Sequence, residues 1–287
     1  MTTRQMSTTT NTTHTVLSQD GAKISYLTMG SGPSVIVIPG ALFIAANYAA
    51  FASALAEHFT VHIIERRGRG RSSPQDNDYS MAKEREDVLS LRAETGASFL
   101  VGHSFGGLVA LEAARLNQAL TKIAVYEPGV SIGGSISMDW MPRYEKKLAE
   151  KKYLDAFVEY SLGTGPDRAR NTPHWLMKLL LPLFLSAQDR KQMLSLLPEN
   201  LREHREIARL DNQYETYRDI TADVLLLYGG RTHIAWIDLA MKQLAAVLPY
   251  SETKGFPTLN HFGINKQAPR EVARAIRDYF LKEQATS

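Results

Sequence analysis

Short apolar runs alternate with helical stretches along the first half of the chain. Val35-Ile36-Val37-Ile38 is a continuous run of β-branched residues, which is typical of a strand buried on both faces of a parallel sheet. The same pattern predicts further strands and helices in the order Asn47–Glu57 helix, Val61–Ile64 strand, Met81–Glu94 helix, Ser98–Val101 strand, Phe105–Leu116 helix and Lys122–Tyr126 strand. This alternation predicts a parallel sheet with helices on both faces.

The alternation stops at about residue 131 and resumes near residue 219. The intervening segment predicts helices only, at Met138–Lys151, Leu154–Ser161, His174–Leu185 and Glu199–Asp211. Strands at Asp223–Tyr228 and Tyr250–Lys254 then alternate with helices at Asp238–Leu248 and Arg270–Leu281. We therefore predict one α/β domain, residues 14–130 and 219–287, interrupted by a helical cap over residues 131–218.

Two predicted strands, His14–Gln19 and Lys23–Met29, form a hairpin ahead of the parallel sheet, with Asp20-Gly21 as its turn. Residues 1–13 are polar and rich in threonine, and we expect a disordered tail. They lack the apolar core of a signal peptide, and no apolar run approaches the roughly 18 residues of a membrane-spanning helix. A cytoplasmic location is the expectation.

Composition narrows the classes of chemistry and partner. The chain has no cysteine, which excludes disulfides, thiolate catalysis and cysteine-rich metal sites. Its 33 basic and 30 acidic residues nearly balance at a net charge of +3, so charge gives no case for nucleic acid or an anionic membrane as a partner.

One motif carries specific chemistry. Gly102-His103-Ser104-Phe105-Gly106 has the form G-x-S-x-G and lies between a predicted strand and a predicted helix. In that context the serine sits on a strained turn that exposes its hydroxyl at the top of the sheet. Ser104 is thus the predicted nucleophile; the alternative is a glycine-rich turn with a buried serine.

A serine hydroxyl needs a base, and the base of this arrangement comes last in chain order. His261 lies just past the last predicted strand and before the terminal helix, which makes it the candidate. His233 also follows a strand and is the main rival, whereas His103 is expected to pack beside the nucleophile.

From about His14 to Leu281 the chain resembles the α/β-hydrolase superfamily. The resemblance rests on four features: Pro39-Gly40, the run from Arg66 to Ser72, the motif around Ser104, and His261. It implies the α/β-hydrolase fold, a mostly parallel central sheet with helices on both faces and a helical cap insertion. It also implies a nucleophile, an acid and a histidine acting together.

The commonest family pattern has an aspartate after the strand that matches residues 224–228. This chain has Gly229-Gly230-Arg231-Thr232-His233 there, with Thr232 at about the position of the acid. A less common branch places the acid in a Tyr-Glu-Pro segment after the nucleophile helix, and here that residue is Glu127. Its place at the carboxyl end of a central strand would direct it into the same crevice as Ser104.

Glu127 is thus the predicted acid, and its role would be to fix the tautomer of His261. Three alternatives remain open. Asp238 could be the acid, the site could be a dyad without one, or Glu127 could cap a backbone amide or pair with an arginine.

The resemblance also implies an oxyanion hole and a substrate pocket. One donor would be the N–H of Phe105 and the other that of Ala41, with Leu42 as an alternative. Residues predicted to contact substrate are Leu42, Phe43, Trp140 and Trp175. The apolar stretch Trp175–Leu185 either buries the cap against the main domain or lines the pocket, and Pro182 within it predicts a kink or break.

The run Glu65–Arg71 is strongly basic. It predicts either an anion site or a loop braced by arginines, one of them paired with a carboxylate such as Asp87.

The function predicted is a serine hydrolase that cleaves a carboxylic ester or lactone through an acyl-enzyme. Its substrate is expected to be small and apolar, and no cofactor or metal is expected; no oligomeric state is predicted. The alternatives are C–C bond or amide hydrolysis, acyl transfer, lyase chemistry, or a non-catalytic small-molecule-binding protein.

Overall fold

The computed structural model describes residues 12–166 and 171–282. Over these residues eight strands form one sheet in the order β1-β2-β4-β3-β5-β6-β7-β8. The strands are β1 Thr12–Leu17, β2 Lys23–Gly30, β3 Ser34–Ile38, β4 Thr60–Ile64, β5 Phe99–His103, β6 Lys122–Tyr126, β7 Asp223–Gly229 and β8 Ser251–Phe256. β1 and β2 pair antiparallel, as do β2 and β4, and every other pairing is parallel. The mostly parallel sheet that the sequence predicts is confirmed.

The first strand begins earlier than predicted. Thr12 and Thr13 were placed in a disordered tail, but they belong to β1 and pair with Thr28 and Leu27 of β2. Their side chains are exposed, so backbone pairing rather than burial holds them, and the hydrophobic pattern carries no sign of it. The rest of the predicted tail, residues 1–11, lies outside the described residues.

Helices cover both faces of the sheet. The side chains of each strand alternate between the two faces, and because they are apolar on both, both faces need cover from water. On β3, Val35 and Val37 pack into the core on one face, and Ile36 and Ile38 pack into the core on the other. The helices are α1 Ala49–Leu55, α2 Met81–Thr95, α3 Phe105–Arg115, α4 Met141–Ala149, α5 Tyr153–Thr164, α6 His174–Phe184, α7 Ala187–Ser195, α8 Leu197–Arg209, α9 Ala235–Val247 and α10 Pro269–Phe280. α1 and α10 pack together on the first face, and α2 and α3 on the second.

Helices α4 to α8 lie between β6 and β7, in the segment predicted as a cap, and we use the word cap as a label for this helical segment. α7 was not predicted, since its sequence AQDRKQMLS has few apolar positions. α6 contains Pro182 and ends two residues later, at Phe184. No helix among the described residues combines the length and the apolar character needed to cross a membrane.

Buried ion pairs join the cap to the sheet domain. Glu203 on α8 accepts from Arg66 at 2.9 Å and from Arg69 at 2.6 Å, and all three side chains are 0% exposed. Burial raises the pKa of the Glu203 carboxyl, but the two arginines outweigh it and hold that pKa below its ordinary value. Arg67 pairs with Asp87 at 2.7 Å. The arginine run therefore braces a loop and ties it to the cap.

Candidate active site

Ser104 occupies the sharp turn between β5 and α3. Its backbone has φ 53° and ψ −121°, a positive-φ conformation that residues other than glycine rarely adopt. The turn is tight because glycines flank it: a Cβ on Gly102 would collide with the carbonyl oxygen of Gly106, and one on Gly106 with that of Ile38. The structure thus gives Ser104 the strained strand–turn–helix geometry of a nucleophile elbow.

Glu127 follows β6 and is fully buried beneath the same end of the sheet. Its backbone N–H donates to the carbonyl of Leu227 on the neighbouring strand at 2.9 Å, and its φ is 45°. Its Oε2 lies 2.6 Å from Nδ1 of His261. Because a carboxylate accepts, Nδ1 carries a proton, and in the neutral imidazole the lone pair then lies on Nε2.

The other carboxylate oxygen of Glu127 also accepts hydrogen bonds. Oε1 accepts from the backbone N–H of Gly229 at 2.7 Å and from the hydroxyl of Thr232 at 2.6 Å. Thr232 stands where the commonest family pattern has its aspartate, and in this chain it donates to the displaced carboxylate instead. Three donors therefore hold one fully buried acid.

Ser104 and His261 line one cavity of about 420 Å³. The imidazole of His261 is 20% exposed, so it lies between the buried acid and the open space where a substrate would bind. The alternatives to this histidine and acid lie elsewhere: His233 is exposed and outside the cavity lining, and Asp238 is exposed on the first turn of α9.

The predicted oxyanion donors face the same cavity. Phe105 and Ala41 are both among its lining residues. Phe105 is the first residue of α3, and the N–H groups of a helix's first turn have no acceptor within the helix.

Of the four predicted substrate contacts, the structure places two in the cavity lining and two elsewhere. Leu42 and Phe43 line it. Trp140 does not: it is buried inside the cap, 5.1 Å from the ring of Tyr144, and its indole N–H donates to the carbonyl of Ser137 at 2.8 Å. Trp175 also lies outside the lining, with its side chain 68% exposed on α6.

The cap lines the cavity with residues that were not singled out from the sequence. Four of them follow the i, i+3, i+4, i+7 spacing on one face of α5: Phe157, Tyr160, Ser161 and Thr164. This periodicity is a signal that could have identified them. Further residues in the lining are Ile136, Met193, His204 and Ile207. Leu181 and Leu185 also line it, and both belong to the stretch 175–185 that the sequence predicts either to bury the cap or to line the pocket.

Comparison with known proteins identifies the family. A model of the alpha/beta hydrolase family matches residues 35–275. The chain belongs to the alpha/beta hydrolase family.

Within that family, the chain is 29% identical over 159 residues to an N-formylmaleamate deformylase of Pseudomonas putida, a match that covers 54% of this chain and 56% of that protein. It is 27% identical over 170 residues to a pimeloyl-[acyl-carrier protein] methyl ester esterase of Xanthomonas campestris, covering 58% and 60%. The matches thus span less than two thirds of either curated relative. An alpha/beta hydrolase from Sphaerobacter thermophilus superposes with a TM-score of 0.78 at 28% identity, over 93% of this chain and 100% of that one.

Metal-binding side chains are not clustered in the part of the chain that the structure describes. No group of three His, Asp or Glu residues there is arranged to hold a metal ion.

Proposed function

We propose that this alpha/beta hydrolase is a serine hydrolase that cleaves carboxylic esters or lactones through an acyl-enzyme. The observation that carries the proposal is the 2.6 Å contact between Glu127 and Nδ1 of His261, with Ser104 on the strained turn of the same cavity. Nucleophile, base and acid are then Ser104, His261 and Glu127.

In the first step, Nε2 of His261 takes the hydroxyl proton of Ser104 as the oxygen attacks the substrate carbonyl. The imidazolium that forms faces the carboxyl group of Glu127, which is buried and held by Gly229 and Thr232. Negative charge on the former carbonyl oxygen would be stabilised by the N–H groups of Phe105 and Ala41.

The imidazolium of His261 next returns its proton to the leaving alcohol, which departs and leaves the acyl group on Ser104. His261 then takes a proton from a water molecule that attacks the acyl-enzyme. The bond between the acyl carbon and the Ser104 oxygen then breaks, His261 returns its proton to that oxygen, and the acid is released.

The cavity supports a small, largely apolar substrate. About 420 Å³ lies within the ~300–1,000 Å³ usual for small-molecule sites. Its walls are mostly apolar, with contributions from Leu42 and Phe43 of the sheet domain and from Phe157 and Leu181 of the cap.

A cytoplasmic location is part of this proposal.

Amide hydrolysis is the second candidate, and the similarity to the N-formylmaleamate deformylase favours it. The same three residues would serve, with an amine as the leaving group.

The test is hydrolysis of p-nitrophenyl esters with acyl chains of two to eight carbons by wild type and Ser104→Ala. We expect wild type to turn over at least one chain length, and Ser104→Ala to lose at least about 10³-fold in kcat. An N-formyl amide assayed beside the esters separates the two candidates. Equal rates for wild type and Ser104→Ala, or no turnover of any ester or amide, would reject both.

A further inference from the structure

His103 makes two hydrogen bonds that the proposed mechanism does not use. It immediately precedes Ser104, is 1% exposed, and its ring centre lies 4.8 Å from that of His261. Its Nε2 is 2.8 Å from the backbone carbonyl oxygen of His261, and its Nδ1 is 2.6 Å from the hydroxyl of Tyr48.

Only one assignment of donors and acceptors fits this series of hydrogen bonds. A carbonyl oxygen only accepts, so Nε2 of His103 carries a proton. Burial lowers the pKa of His103 well below its ordinary value, so the ring is neutral and Nδ1 must accept. Burial also raises the pKa of Tyr48, which keeps its proton and donates it to Nδ1.

The hydroxyl oxygen of Tyr48 accepts in turn from the backbone N–H of Gly40 at 3.0 Å. Gly40 immediately precedes Ala41, the proposed oxyanion donor. The bonds therefore run from the oxyanion loop through Tyr48 and His103 to the backbone of His261. The side chains of Tyr48 and His103 are buried, so water does not compete for these bonds.

We infer that Tyr48 and His103 are positioning residues that set the oxyanion donor and the base relative to Ser104. The inference rests on the proposed function and adds to it. Neither side chain lines the cavity: His103 bonds to the backbone of His261, and Tyr48 bonds to Gly40 and to His103. Loss of these hydrogen bonds should reduce the stabilisation of the transition state more than it weakens substrate binding.

Tyr48→Phe is the sharpest perturbation, because it removes only the hydroxyl and keeps the ring. Its matched control is Tyr144→Phe in the cap: Tyr144 is equally buried, and its hydroxyl also makes two hydrogen bonds, to Leu197 at 2.8 Å and Asn200 at 2.9 Å. The two variants should lose similar thermal stability, and so their comparison separates positioning from folding.

The readouts are kcat, KM and the inhibition constant of an alkylboronic acid, which forms a tetrahedral adduct with a catalytic serine. For Tyr48→Phe we expect kcat to fall on the order of 10- to 100-fold, KM to stay within about twofold, and boronate binding to weaken in parallel with kcat. Tyr144→Phe should keep the wild-type kcat. A second variant, His103→Gln, should also lower kcat without raising KM.

The inference is overturned if Tyr48→Phe behaves like Tyr144→Phe, or if kcat and boronate binding do not change together. If neither Tyr48→Phe nor His103→Gln folds while Tyr144→Phe does, the pair is structural and the inference is also overturned. Either result leaves an active wild type that depends on Ser104, whereas failure of the proposed function leaves the wild type inert, and the inference then falls with it.

Discussion

The buried acid offers the sharpest perturbation of the site. In Glu127→Gln the side chain keeps its size, and its orientation is dictated by its neighbours. The backbone N–H of Gly229 can only donate, so the amide oxygen must stay on the side of Gly229 and Thr232. The amide NH₂ then faces Nδ1 of His261, where the carboxylate oxygen lay at 2.6 Å.

Two donors cannot share that contact, so the imidazole has to take the other tautomer. Its proton then lies on Nε2, which can no longer accept from the hydroxyl of Ser104. A triad left intact in geometry but with the wrong tautomer loses about 10⁴ in kcat, equivalent to about 5.5 kcal/mol of transition-state stabilisation. We expect a loss of that size for Glu127→Gln, with little change in KM.

The assay is steady-state ester hydrolysis, with far-ultraviolet circular dichroism to show that the variant is folded. Glu159→Gln is the matched control: Glu159 is a buried cap carboxylate, paired with Arg143 at 3.0 Å, and it does not line the cavity. That variant should keep the wild-type kcat. Folded Glu127→Gln with more than a tenth of the wild-type kcat would refute the assignment of the acid.

A relocation experiment extends the same reasoning. Glu127→Ala combined with Thr232→Asp moves the carboxylate to the position that the commonest family pattern uses. We expect at least tenfold more activity than in Glu127→Ala alone. Thr232→Asp alone would place two carboxylates side by side, so one would remain protonated.

Three further predictions concern stability. Thr232→Val removes a donor to a buried carboxylate, so urea denaturation should show a loss of about 1.5–3 kcal/mol in the free energy of unfolding, with kcat reduced far less than in Glu127→Gln; unchanged stability would contradict this. Glu203→Gln removes the carboxylate partner of the buried Arg69, while Arg66 keeps its pair with Glu84 at 2.9 Å, and the change should cost about 3–5 kcal/mol. Glu145→Gln, in an exposed pair, should cost less than about 1 kcal/mol. Burial lowers the pKa of His62 to about 4, and that of His103 well below its ordinary value. The unfolded chain therefore binds these protons first, so the two histidines lower the free energy of unfolding as the pH drops from about 6.5 towards 4, whereas Asp87, whose pKa burial raises to about 6, acts in the opposite direction. The free energy of unfolding of His62→Gln should therefore fall less over that range than that of wild type, and an equal fall would contradict this.

The fold could be predicted from the sequence because its strands are short, buried and regularly spaced. Val35–Ile38 has apolar residues on both faces, and the structure places helices on both faces. The turn around Ser104 could also be predicted, because its glycines and its place between a strand and a helix are local features of the sequence. Contacts between distant segments were not: Thr232 and Glu127 are 105 positions apart, and no local pattern links a threonine to a carboxylate.

The cap was the least predictable part of the chain. Residues 175–185 are apolar nearly all round, so their periodicity does not choose a face, and the structure leaves Trp175, Leu179 and Leu183 exposed. Trp140 has the size and polarity of a pocket residue, yet it fills the space beside Gly163 inside the cap, where a Cβ on that glycine would strike the indole. How the cap helices pack decides which of their side chains reach the cavity, and that packing depends on contacts between helices far apart in the sequence.

The central claim is that Ser104 is the nucleophile of this alpha/beta hydrolase, and covalent labelling tests it most directly. Wild type and Ser104→Ala are incubated with a fluorophosphonate, and the adduct is located by peptide mass spectrometry. We expect one adduct per wild-type chain, on Ser104, and none on folded Ser104→Ala. Wild-type protein that is folded but unlabelled, or that carries its adduct on another residue, would contradict it.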